Sequence, residues 1–242
     1  MEKPIHAGEG IIAPNAGWTF GADTPKSFDS HVERSVPFYH EGHELVAQLS
    51  DFFIKPDSVG FEIGSSTGAL TRKLAQRHPS SVRWVGIEPE PAMVSFANAE
   101  LEKSLEIKGR VTYVQEDACI FPFEKSDFIV SYYTVQFVTP RLRQELINEI
   151  YQALNWGGAF VLFEKVRSPD ARFQDILTAL YTDFKLQQGY TPAEIIAKSR
   201  SLKGVLEPFS TQGDIDLLKR AGFVDIVTVF KHICFEGFLC IK

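Results

Sequence analysis

The stretch Ser58-Val59-Gly60-Phe61-Glu62-Ile63-Gly64-Ser65-Ser66-Thr67-Gly68 decides the reading of the chain. A short, largely apolar run from Val59 to Ile63, carrying the acid Glu62, leads directly into a Gly/Ser/Thr turn. Ala69 to Ala75 follows, a segment of good helix formers with apolar positions three and four apart. Strand, glycine turn and helix in that order is the ligand-binding arrangement of doubly wound α/β folds. Gly64 and Gly68 permit a tight bend and a close backbone approach that a Cβ atom would hinder. The pattern E-x-G-x-S-x-G departs from the dinucleotide fingerprint G-x-G-x-x-G. Glu62, two residues before the first glycine, suits a cationic or amine-bearing ligand better than a pyrophosphate.

Downstream, apolar runs and helical periodicity alternate. Val82 to Ile87 gives a second strand ended by Glu88, 24 residues past Gly64, and a helix is expected over Pro91 to Leu101. An acid at that strand tip lies where a carboxylate can accept from both hydroxyls of a ribose. Val111 to Val114 is a third strand followed by Asp117-Ala118, where an acid can accept from an exocyclic adenine amine. Asp127 to Ser131 is a fourth, with Tyr132 and Tyr133 leaving its carboxyl end, the sheet edge at which such folds bind ligands. A helix over Arg141 to Leu154 and a strand over Ala159 to Phe163 come next.

The alternation breaks at Ser168. Asp170 to Gln187 and Thr191 to Leu202 read as two helices with no strand between, Pro192 standing behind Thr191 at the second start. A helix over Thr211 to Ala221 and two strands joined by a short turn close the chain as an antiparallel hairpin. The expected organisation is an arm and helix over 1–57, an α/β core over 58–167, a helical lid over 168–205, and a closing helix and hairpin over 206–242. Within the first segment, Trp18 and Phe20 anchor an extended arm over 1–27. One or two helical turns precede Pro37, and a helix over Glu41 to Ile54 buries Leu45, Val46, Leu49, Phe52 and Phe53.

Composition narrows the function. A 242-residue chain with 44% hydrophobic residues fills one large α/β core. A net charge of −6 argues against direct nucleic-acid binding, which needs a basic footprint. Met1 to Gly10 has no apolar signal segment, and no apolar run reaches the length of a membrane span, so a cytoplasmic protein is expected. The three cysteines show no C-x-x-C spacing, and Cys234 and Cys240 read as buried thiols within strands. His31, His40 and His43 cluster in sequence but read as a polar helix entry, so no metal site is assigned.

These elements together resemble the class I fold of S-adenosylmethionine (SAM)-dependent methyltransferases, a doubly wound, mostly parallel seven-stranded sheet with an antiparallel C-terminal hairpin and a helical insertion. SAM is a cationic, amine-bearing nucleoside of the kind Glu62 suits. Narrower matches are Trp18-Thr19-Phe20, Arg34-Ser35-Val36-Pro37 with Tyr39, Pro91-Ala92-Met93 and Thr134-Val135-Gln136-Phe137. Further matches are Ile150-Tyr151-Gln152 with Leu154-Asn155, Gly157-Gly158-Ala159, Glu164-Lys165, Asp183-Phe184-Lys185 and Gly189-Tyr190. On these, the chain from Trp18 almost to its end resembles the carboxy-S-adenosylmethionine synthase family, whose members move a carboxyl group from prephenate onto the SAM methyl carbon for tRNA wobble-uridine modification.

The resemblance implies cofactor contacts at Tyr39, Gly64, Ser65, Ser66, Glu88, Pro89, Asp117 and Ala118, and a homodimer. Glu62, Gly68 and Tyr132 join that set as residues of the same loop and strand ends. Two positions depart from the family. Its asparagine after the fourth strand is Tyr132, and its carboxylate-gripping arginine in the insertion is Ser199, with Arg200 one residue on. One residue along a helix is about 100° of rotation. The leading expectation is therefore methyl transfer from SAM to a small-molecule acceptor, with Tyr132, Tyr133, His40, Tyr190 and Arg200 as candidate catalytic groups. The alternative is carboxy-SAM synthesis, with carboxy-SAM as the bound nucleoside and Arg200 turned into the site. A SAM-binding subunit without catalysis is the third reading.

Overall fold

The computed structural model describes residues 14–20 and 24–242. The reading of Met1 to Gly10, and part of the expected arm over 1–27, lie outside the described residues. The described part of the arm leads into α1 (Thr24–Glu33) and α2 (Tyr39–Ser50). The core then alternates through β1 (Val59–Ile63), α3 (Ala69–Arg77), β2 (Arg83–Ile87), α4 (Pro91–Leu101), β3 (Val111–Val114), β4 (Ser126–Tyr132), α5 (Pro140–Ala153) and β5 (Leu154–Lys165). Two consecutive helices, α6 (Ala171–Gln187) and α7 (Pro192–Ser201), interrupt it before α8 (Thr211–Ala221), β6 (Asp225–His232) and β7 (Phe235–Ile241).

The seven strands form one sheet in the order β3-β2-β1-β4-β5-β7-β6, with β7 antiparallel to both β5 and β6. Strand order reverses direction between β1 and β4, and in open α/β sheets ligands bind beyond the carboxyl ends of the strands at that point. All five residues of β1 are buried, as expected of a parallel strand covered on both faces. One apolar cluster joins Val46, Leu74, Trp84 and Phe128 beneath α2, α3 and α4. The other joins Phe61, Ile147, Leu218 and Phe238 beneath α5 and α8.

The helix caps explain why the insertion begins where it does. The Asp170 carboxylate accepts from the backbone N–H groups of Arg172 and Phe173. Thr191 and Glu194 form a reciprocal capping box, with Pro192 in the first helical turn of α7.

The N-terminal region differs from expectation. α1 runs ten residues, and the break falls over Arg34 to Phe38, where Phe38 adopts φ 57°. α2 starts two residues earlier than expected and stops at Ser50, so Phe52 is 82% exposed rather than on the buried face. Among the described residues no helix is long and apolar enough to cross a membrane.

Candidate cofactor and acceptor site

The loop after β1 is fixed from both sides. The backbone N–H groups of Gly64 and Ser65 both donate to the Ile87 carbonyl, at 2.8 and 3.1 Å, which ties the loop to the end of β2. Gly64 holds φ +71°, and a Cβ there would lie 2.2 Å from Thr134 Oγ1, so both conformation and space require glycine. Gly68, at φ +74°, precedes α3 and packs under the Tyr113 ring, where its carbonyl accepts from the phenol.

Glu88 answers from β2. Its Oε2 accepts from Ser66 N–H at 2.9 Å and its Oε1 from Glu90 N–H at 3.1 Å. Burial raises its pKa above the usual carboxylate value. Each oxygen keeps a lone pair for a further donor. Glu62 is buried at the end of β1 and accepts from the Thr71 hydroxyl. Desolvation by burial pushes its pKa to about 8, which favours a neutral carboxyl until a cation arrives.

These groups open onto a cavity of about 640 Å³, within the span of about 300–1,000 Å³ usual for small-molecule sites. Tyr39, Glu62, Gly64, Ser65, Ser66, Glu88, Pro89, Tyr132 and Tyr133 all line it. Ser65 Oγ is buried there without a hydrogen-bond partner, a polar atom suited to a ligand. The opposite wall comes from Lys165 at the end of β5, from Tyr181 and Lys185 on α6, and from Lys198 and Ser199 on α7. Sheet order therefore places acids at the β1–β2 end and ammonium groups at the β5 end.

Other sequence candidates fall elsewhere. Asp117 and Ala118 are not among the cavity-lining residues; the Asp117 side chain is exposed at the end of β3 and accepts from Cys119 N–H. Gly68 lies behind the loop rather than on the cavity wall. His40 is exposed and pairs with Glu33 at 2.5 Å, outside the cavity. Tyr190 is buried outside it too, with its hydroxyl 3.0 Å from Ser35 Oγ and its ring beneath the Arg34 guanidinium. Arg200 is exposed and off the cavity wall, whereas Ser199 is on it.

The three clustered histidines part company. His31 bonds the Lys198 ammonium and stacks on Trp18, while His43 is buried against Tyr39 and Tyr132. Burial holds both near pKa 3, so both are neutral. Among the described residues no three His, Cys, Asp or Glu side chains gather to hold a metal.

The tyrosines after β4 differ in availability. Tyr132 fills the space opened by Gly42, where a Cβ would lie 2.0 Å from its hydroxyl, and that hydroxyl donates to the Tyr39 carbonyl at 2.8 Å. Its ring faces the site, but its proton is committed. Tyr133 sits at φ +60°, an uncommon conformation for an aromatic residue, and its hydroxyl makes no hydrogen bond among the described residues. Burial raises its pKa, so it is a neutral phenol.

Comparison with known proteins agrees with this fold. A methyltransferase-domain family model matches residues 61–158. A carboxy-S-adenosyl-L-methionine synthase of Staphylococcus epidermidis is 36% identical over 93% of this chain and 97% of its own length. The chain belongs to that family. A second such synthase, from Campylobacter lari, is 34% identical over 92% of this chain and 94% of its own. Among solved structures, an O-methyltransferase family protein from Burkholderia thailandensis superposes with TM-score 0.66 at 16% identity, over 90% of this chain and 59% of that one. A phosphoethanolamine N-methyltransferase of Haemonchus contortus, solved with SAM, superposes with TM-score 0.64 at 16% identity, over 92% and 57%. The fold is that of the class I methyltransferases, and the chain is a SAM-dependent transferase.

The residues present fit SAM. Glu88 and the Gly64–Ser66 loop would hold the ribose and amino-acid portions, and Glu62 lies near enough to the loop to favour a cationic ligand. The sequence assigned no role to Lys165, Tyr181 or Lys185. The signal for Lys165 was its place at the carboxyl end of a core strand.

Proposed function

We propose that the chain transfers the SAM methyl group to a small-molecule acceptor. The observation that carries this reading is Ser199. The family's arginine position faces the cavity as a serine, and Arg200 points off the wall with its carbonyl accepting from Ala16 N–H. Serine cannot supply the two-pronged grip of a guanidinium on a carboxylate.

Bound SAM supplies a methyl group already activated by its sulfonium. The chain's own task is then position and enclosure. Glu88 and the loop after β1 orient the nucleoside, and α6 and α7 act as a lid that excludes water. Tyr133 is placed at the carboxyl end of β4 with a hydroxyl free to hydrogen-bond the acceptor. Its raised pKa makes it a donor that orients, not a base. Acceptors that need no deprotonation suit such a site best.

Carboxy-SAM synthesis is the second reading, favoured by full-length similarity to the named synthases and by the ammonium groups at the β5 end. Incubation with SAM and prephenate, followed by mass spectrometry, separates the two. No carboxy-SAM is expected from the unmodified protein. The double variant Ser199→Arg/Arg200→Ser is expected to bind carboxy-SAM more tightly and SAM no better. Carboxy-SAM that co-purifies with the unmodified protein and is lost in Arg200→Ala would overturn the methyl-transfer reading.

A homodimer is part of the proposal. Phe173, Ile176 and Leu180 are 53%, 56% and 48% exposed and share one face of α6, an apolar stripe suited to the same stripe on a second copy.

A further inference from the structure

The sheet face beneath α5 and α8 holds three carboxylates among its apolar side chains. Glu164 of β5 and Glu236 of β7 are register partners, so their side chains leave the sheet side by side. Asp214, in the first turn of α8, adds a third. All three are 2% exposed.

Glu236 is satisfied. It accepts from the Thr211 and Thr228 hydroxyls at 2.6 and 3.1 Å and from the Lys231 ammonium of β6 at 3.1 Å. Glu164 Oε1 and Asp214 Oδ2, by contrast, are buried with no hydrogen-bond partner among the described residues. The cation that faces both is Arg143 of α5, itself buried, and Glu207 ahead of α8 faces it too. Arg143 turns its donors elsewhere. Its Nε donates to the Val138 carbonyl at 2.8 Å and its Nη2 to the Gln136 carbonyl at 2.9 Å, while its guanidinium lies 4.4 Å from the Phe209 ring centroid.

Two buried carboxylates before one guanidinium are unfavourable when both are ionised. Burial raises both above the ordinary carboxylate range, Asp214 to about 7; the Asp214 charge raises Glu164 further, and the Glu236 charge raises Asp214. The pair therefore keeps a proton at neutral pH.

This cluster carries part of the cavity wall. Arg143 holds the short helix Val135–Phe137 by the Gln136 carbonyl, and the Val135 and Gln136 N–H groups face the Glu164 carboxylate. Gln136 in turn donates from Nε2 to the Tyr133 carbonyl and accepts at Oε1 from Lys165 N–H, both at 2.9 Å. Thr134, just ahead, packs against Gly64 of the cofactor loop. Gln136 and Phe137 line the cavity, whereas Arg143, Glu164 and Asp214 lie behind it.

We propose that Glu164, Asp214 and Arg143 are positioning residues that link cofactor affinity to the protonation of the carboxyl pair. With a proton on the pair, Arg143 stays on the Gln136 and Val138 carbonyls and seats the short helix against the cofactor loop. When the second carboxylate ionises, the guanidinium is drawn toward the acids and that seating weakens. The cofactor then binds less tightly as pH rises through about 7. The linkage is the same whichever group the enzyme transfers.

The experiment measures S-adenosylhomocysteine affinity by calorimetry at several pH values in the unmodified protein, Asp214→Asn and Glu164→Gln. Each amide keeps the shape of the carboxyl group and cannot ionise. At about pH 6 each variant is expected to bind within about threefold of the unmodified protein, and at about pH 8.5 the unmodified protein should fall at least about fivefold behind Asp214→Asn. Glu62, Glu88, Lys165 and Lys185 are present in all three proteins, so the ratio between proteins isolates the pair. A purely structural role would weaken binding by the same factor at every pH. A ratio constant within about twofold across that range would therefore overturn the proposal. Urea unfolding reads the proton without the cofactor. The folded protein holds the Asp214 proton more tightly than the unfolded chain, so stability falls as pH rises from about 4 to about 7, and Asp214→Asn should flatten that fall. An unchanged slope would overturn the proposal, as would failure of both variants to fold at about pH 6, where the neutral pair should be the stable form.

Discussion

Glu88→Ala tests the ribose assignment most directly. The Glu88 carboxylate spends one lone pair on Ser66 N–H and one on Glu90 N–H, leaving one on each oxygen for the two ribose hydroxyls. A hydrogen bond to a charged group contributes about 1.5–3 kcal/mol. Two of them total about 3–6 kcal/mol, and water entering the vacated space recovers part. A net loss of about 3 kcal/mol corresponds to a rise in Kd of roughly 100-fold. Folding stability should change much less. Two loop bonds of about 1 kcal/mol each are lost, but so is a carboxylate whose raised pKa shows that its burial is unfavourable. Calorimetry with S-adenosylhomocysteine reads the binding, and thermal melting controls for the fold. Asp117→Ala, at an exposed side chain off the cavity wall, should cost less than tenfold. A Glu88→Ala protein that melts normally and binds within threefold of the unmodified one would refute the assignment.

Glu62 predicts a pH dependence. Burial raises its folded-state pKa from 4.5 to about 8, so the native protein keeps a proton that the unfolded chain releases, and stability falls as pH rises from about 4.5 through 8. Glu62→Gln should flatten that fall in urea titrations; an identical slope in both proteins would show that Glu62 titrates normally. The apolar stripe on α6 predicts that Leu180→Glu converts a dimer to a monomer in sedimentation, and a protein already monomeric before the substitution would remove the stripe as an interface.

Much of the fold was legible because local and long-range demands agree. Val59 to Ile63 has the apolar run of a doubly covered strand, and Asp170 and Thr191 are cap residues standing where helices begin. The start of β5 was not legible. Asn155-Trp156-Gly157-Gly158 has turn composition, yet the strand begins at Leu154 and runs through it with Gly157 at φ +78° and a register shift against β4. Trp156 is 84% exposed there, so hydrophobicity misstates its environment. α1 was underestimated for a related reason. The helix-stopping signal is Pro37 in the sequence, whereas the chain turns over Arg34 to Phe38 and the helix extends back to Thr24.

The site divides by the kind of information each residue carries. Glu62 and Glu88 could be read from position alone, since a strand tip in this fold has one neighbourhood. His40 and Tyr190 could not, because their chemistry suited catalysis while their partners, Glu33 and Ser35, take up that chemistry outside the cavity. Lys165 and Lys185 are the harder case. A lysine in sequence is an ordinary surface charge, and these two become informative through the carboxylates that are missing around them. Each was visible beside an acid, as Glu164-Lys165 and as Asp183-Phe184-Lys185. Strand alternation sends Glu164 to the opposite face of the sheet from Lys165, and Asp183 and Lys185, two apart on α6, lie about 200° apart around the helix axis. The acids that neutralise these lysines on paper are thus turned away from them by the geometry of strand and helix. Among the described residues, what is left facing the cavity is positive charge with no carboxylate within 4 Å, which no reading of the sequence alone could show.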